Sequence, residues 1–177
     1  MRVRRYFVVL ACGVVTLGVT VPAAAAPTGA TTATITITGG TLAITVPAAA
    51  GNIGTRADTV GGGTISGPLG QVAVLDARSA AAGSGWVASV ISTAFTPPAG
   101  PAIPASAVGY TAGPITKVGT ATYTAQDPQD LTGVAPAVTA TGITGDNSAT
   151  WNPTISVTVP GGMAAGVYAA TITHSVV

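Results

Sequence analysis

The chain has 177 residues, 47% of them hydrophobic and only 6% charged, with 24 glycines, 13 prolines, one histidine, one cysteine and no glutamate. Ordinary soluble domains carry about 25% charge, so this chain lacks the electrostatic footprint that nucleic acid or anionic lipid requires. Its hydrophobic content is in turn too high for a disordered chain.

The N-terminus reads as a cleavable secretory signal. Arg2, Arg4 and Arg5 form a basic start, an apolar run extends from Tyr6 to Val21, and Pro22 leads into the small residues Ala23 to Ala26. That order suits an export signal, and the run is short for a membrane span. Pro27 disfavours cleavage directly before it, which places the cut after Ala25, with a signal over 1–25 and one exported domain over 26–177. Val9-Leu10-Ala11-Cys12 loosely resembles a lipoprotein box, but the apolar run continues past Cys12, which therefore reads as part of the signal. The exported part keeps Arg56, Arg78 and Lys117 against five aspartates, a net charge of −2, and has no cysteine.

Beyond the signal the periodicity is that of strands. Ala33 to Thr38 and Thr41 to Val46 both alternate, and the Gly39-Gly40 pair between them predicts a hairpin, since primed turns need positive φ. Further strand-like runs cover Gln71–Asp76, Trp86–Phe95, Ala121–Ala125, Val138–Ile143, Ile155–Val159 and Val167–Val177. Clusters such as Gly61-Gly62-Gly63, Gly67-Pro68, Gly113-Pro114 and Asp127-Pro128 punctuate them as turns, and only Ala77–Gly83 suggests a helical turn. This spacing predicts an all-β fold, an antiparallel immunoglobulin-like β-sandwich of about eight to ten short strands.

Enzymatic chemistry finds little support in the residue types. A Ser-His-Asp arrangement would have to use His174, the one histidine, with Ser84, which stands in Ala-Gly-Ser-Gly-Trp without the spacing of a nucleophile elbow. Zinc lacks its usual ligands, and no cofactor is implied. Asp127, Asp130, Asp146 and Asn147 offer oxygens to a structural calcium but read more simply as turn residues. The aromatic residues Trp86, Trp151, Tyr110, Tyr123 and Tyr168 fit either core packing or a stacking surface for a sugar or protein partner. His174 shares a predicted strand face with Tyr168, Ile172 and Val176, where a half-buried, hydrogen-bonded imidazole is the common case.

Three segments carry a family resemblance. They are Gly70 to Arg78 with Gly85 to Phe95, Asn152 to Pro160, and Gly166 to Val176. Together they resemble the WxL-type surface domains of Gram-positive bacteria, in a degenerate, actinobacterial form. Both signature triplets are altered: Trp86-Val87-Ala88 lacks the leucine, and His174-Ser175-Val176 lacks the tryptophan. The resemblance implies a secreted β-sandwich that associates non-covalently with peptidoglycan or surface proteins, with Trp86, Tyr168, His174 and Val176 as the binding candidates. Asp76 and Arg78, an even step apart, point to one face as a structural ion pair or backbone clamp. The leading expectation is a non-catalytic module outside the cell, associated with the wall and without a membrane anchor or sorting tail of its own. An assembly subunit that pairs through an exposed edge is the alternative, and a secreted hydrolase a distant third.

Overall fold

Alternation decides which side chains each strand buries. The computed structural model describes residues 32–177; the signal, Cys12 and the cleavage region lie outside them. Along β3 (Val72–Ser92) the inward positions Val72, Val74 and Asp76, then Trp86, Ala88 and Val90, are buried, while Ala77 to Gly85 between them are largely exposed. Its partner β6 (Ala135–Trp151) buries Val138, Ala140, Ile143, Asn147, Ala149 and Trp151 in the same way.

These two strands, 21 and 17 residues long, are the centre of a five-stranded sheet. β1 (Leu42–Thr45) and β8 (Ile172–Val176) both flank β3, one beside each half, and β5 (Thr116–Ala125) flanks β6. A second sheet has the order β2-β7-β4, from Gly63–Pro68, Thr154–Val159 and Val108–Thr111. All pairings are antiparallel. The sheets pack face to face as an all-β sandwich, with Val74, Trp86 and Val138 of one meeting Val108, Ile155 and Val157 of the other in a single core.

The strand order β1-β3-β6-β5 over β2-β7-β4 follows the four-plus-three plan of the immunoglobulin sandwich. It departs from that plan at one place. The small sheet takes its third strand, β2, from the N-terminal half, and the C-terminal strand β8 joins the large sheet instead.

Three expectations fail in detail. The predicted Ala33–Val46 hairpin does not form, because Leu42–Thr45 pairs with β3 and the residues from 32 to 40 belong to no strand. Gly40 N donates to Ala77 O at 2.5 Å and Ala77 N to Thr41 O at 3.0 Å. A Cβ on Gly40 would sit 2.9 Å from the Ala77 Cβ, so this glycine serves close backbone approach and not a turn. The helical turn at Ala77–Gly83 is also absent. That stretch continues β3 through several register shifts, with Ser79 and Gly83 at φ 52° and 89°. Finally β2 spans residues read as turns, since an edge position tolerates Gly67 and a terminal Pro68.

Exposed Ile35 and Ile37 contribute little to this core, so Ile35→Ser and Ile37→Ser are expected to change stability by less than about 0.5 kcal/mol. Ile143→Ala, at a fully buried position, is expected to cost about 3 kcal/mol. Urea unfolding of the three variants checks the contrast.

Candidate functional site

Two polar clusters and one cleft stand out against an otherwise apolar interior. The first cluster surrounds Asp76, which has 0% exposure and faces Asn147 directly across the β3–β6 ladder. Arg78 Nε and Nη2 donate to the two Asp76 oxygens at 2.9 Å each, and the Arg78 backbone N–H donates at 3.1 Å. Asn147 Nδ2 adds a fourth donor at 3.3 Å. The Asn147 Oδ1 in turn accepts from Trp86 Nε1 at 3.1 Å and Tyr123 OH at 3.0 Å. The Arg78 guanidinium bonded to Asp76 therefore holds that carboxyl below the usual carboxylate range. This cluster is a closed brace: among the described residues no buried side-chain nitrogen or oxygen lacks a partner.

The second cluster is a hydrogen-bonded chain across the two sheets. Trp151 Nε1, on β6, donates to Tyr110 OH on β4 at 2.7 Å, and that hydroxyl lies 3.3 Å from His174 Nε2 on β8. Burial pushes the Tyr110 hydroxyl up to about 12 and lowers the His174 pKa, so both groups are neutral at pH 7.

His174 also borders the cleft. This opening of about 940 Å³ lies between the sheets, where β1 and β8 edge one and β2 edges the other. Its walls include Ile65, Val72, Ile155, Val157 and Ile172, and residues 46–58 and 163–171 flank its mouth. The charged residues along it are Arg56 and Asp58, one of each sign. Arg56 is already engaged, with Nη2 donating to Gly62 O and to Thr59 Oγ1.

The binding candidates from the sequence thus divide, with Tyr168 and His174 on the cleft, Trp86 in the core and Val176 against it. Trp86 is 2% exposed with its N–H satisfied, so it is a core residue and offers no stacking face. Tyr168 lies outside β8, on the loop before it, where its hydroxyl donates to Ala164 O at 2.9 Å and its ring borders the cleft. Val176 packs against the core opposite Ala88, and His174 sits opposite Val90. The ends of the two altered triplets are therefore cross-strand neighbours. Asp76 and Arg78 meet as an ion pair. The turn aspartates serve the backbone: Asp127 accepts from Ala112 N, Asp130 from Thr132 N and Asp146 from Ser79 N. No group of three metal-ligating side chains occurs among the described residues. His174 makes no hydrogen bond to Ser84 or to an aspartate among them, and Tyr110 is its side-chain partner.

No protein-family model, no characterised protein and no solved structure matches the chain. Its function is therefore read from this geometry and from the residue pattern of the chain.

Asp76→Asn is expected to cost about 3 kcal/mol, since it removes the buried charge that pairs with Arg78 and turns one of the two acceptor oxygens into an NH2 group facing the guanidinium. Because the folded carboxyl titrates below its unfolded value, the unfolded chain takes up that proton first, and stability falls as pH drops below about 4. The substitution should flatten this acid limb. At the other end Tyr110 ionises near 12 when folded, so stability falls as pH rises above about 10, where the unfolded phenol ionises. Thermal unfolding of the wild type and Asp76→Asn across pH checks both limbs.

Proposed function

We propose that the protein is a secreted, non-catalytic module of the cell envelope that works by holding a molecule in its inter-sheet cleft. The observation that carries this reading is the cleft itself, whose 940 Å³ falls within the range of about 300–1,000 Å³ common to ligand sites. The basic, apolar and small-residue order of residues 1–25 supports export. The resemblance to WxL-type surface domains supports a place in the envelope, in contact with the wall or with other surface proteins. Burial of Trp86 moves the contact away from the first altered triplet and toward His174, in the second. Aliphatic walls favour an apolar molecule or chain over a glycan, whose hydroxyls would lose hydrogen bonds to water there.

Incubation of the exported protein with purified cell walls and with a lipid extract of the same envelope tests the reading. Retention of the wild type and loss of it in Ile65→Trp, which fills the cleft from β2, is the expected result. Equal retention of both proteins would remove the cleft from the function.

A second reading has its own support. Among the described residues β5 pairs with β6 alone, it carries Lys117 as its one charge, and Val118 beside it is 67% exposed. Such an edge accepts another strand, which makes this face the contact for an assembly role. Sedimentation across a concentration series checks it: association that Val118→Pro abolishes is the expected outcome, and a monomer at every concentration excludes it.

A further inference from the structure

Hydrogen-bond arithmetic along the Trp151–Tyr110–His174 chain sets the chemistry of the cleft wall. A phenol has one proton to donate and can accept on its oxygen. The Tyr110 oxygen already accepts from Trp151 Nε1, and its own O–H has one acceptor in reach among the described residues, His174 Nε2. Nε2 is therefore the acceptor, and a neutral imidazole must then carry its proton on Nδ1. Among the described residues Nδ1 makes no hydrogen bond to the protein, and it is not a buried unpartnered atom. The ring thus borders an aliphatic cleft with an N–H donor fixed in place by two residues of the core.

Resting on the reading of this cleft as the binding site, we infer that its ligand is an uncharged aliphatic lipid bearing an oxygen acceptor, such as an ester or ether, that takes a hydrogen bond from His174 Nδ1. Three observations separate this class from its neighbours. A hydrocarbon with no acceptor would leave the Nδ1–H desolvated and unpaired, which costs affinity. A fatty-acid carboxylate would need a cation, and burial keeps the imidazole neutral, while Arg56 Nη2 is taken by Gly62 O and Thr59 Oγ1 and Asp58 lines the same cleft with the opposite charge. A peptide segment would bring backbone donors and acceptors that the aliphatic walls cannot answer.

His174 is the one histidine in the chain, so its imidazole nitrogens give an unambiguous NMR signal. The exported protein, labelled with 15N, should show the Nδ1–H tautomer at pH 7, and titration with monoolein should shift the Nδ1 resonance. Calorimetry should give monoolein at least about tenfold tighter binding than oleate at pH 7. His174→Phe, which keeps an aromatic ring, should weaken monoolein about five- to tenfold, the effect of one neutral hydrogen bond. An imidazolium, an Nε2–H tautomer, oleate binding as tightly as monoolein, or no effect of His174→Phe would each overturn the assignment. The NMR result stands without any variant. Should both lipids bind alike, with Ile65→Trp abolishing them, this inference fails and the cleft reading holds. If neither lipid binds the wild type, both fall.

Discussion

A carboxylate with no solvent contact must have its lone pairs answered by the protein, and the way Asp76 is answered organises the large sheet. Two guanidinium nitrogens, a backbone N–H and the Asn147 amide converge on it. Because Asn147 is its direct cross-strand partner, this polar contact pins the register of the longest strand pair. A slip of one residue would turn Asp76 to solvent and Leu75 inward, and would break the bonds from Asn147 to Trp86 and Tyr123 as well. Desolvation makes such a cluster a poor source of net stability, and its value lies in excluding other pairings. Where the β3–β6 ladder continues beyond Asp76 and Asn147, it loses that regularity and shifts register repeatedly.

The same sheet explains why the cleft exists. β1 and β8 each cover only part of β3, and the small sheet has three strands against five. On this side the loop residues 46–58 and 163–171, rather than strands, line the opening. Inward-facing Ile155 and Val157 of β7 and Ile172 of β8 form its apolar walls by ordinary alternation. His174 stands among these strand positions as a polar side chain, and its partner Tyr110 comes from the opposite sheet. One polar cluster thus lies within the large sheet at its brace, while the other bridges the sheets and reaches the cleft.

Much of this was legible in the residues. The alternation of Ile155–Val159 and the short apolar run within Gln71–Asp76 announce strands, and the lack of any helical period announces an all-β sandwich. Asp76 and Arg78, at an even step, are local enough for their meeting to follow from strand geometry alone. Asn147 was missed because Asp-Asn beside glycine is an ordinary turn signal, and nothing nearby reveals a carboxylate 71 positions away in the chain. The hairpin at Gly39-Gly40 failed for a related reason. Two short alternating runs bury too little against each other, and β3 offers the second run a ladder backed by the whole core.

The amino-acid sequence by itself determined the class of structure, since that depends on short-range order: alternation and turn chemistry. Only the tertiary structure decided which strands pair, that Trp86 is core and not surface, and that His174 meets Tyr110 beside a cleft. Those outcomes depend on contacts between residues far apart in the chain, such as Trp86 with Asn147, 61 positions away, and Tyr110 with His174, 64 positions away. Local periodicity shows which face of a strand is buried but carries no information about which distant strand will cover it.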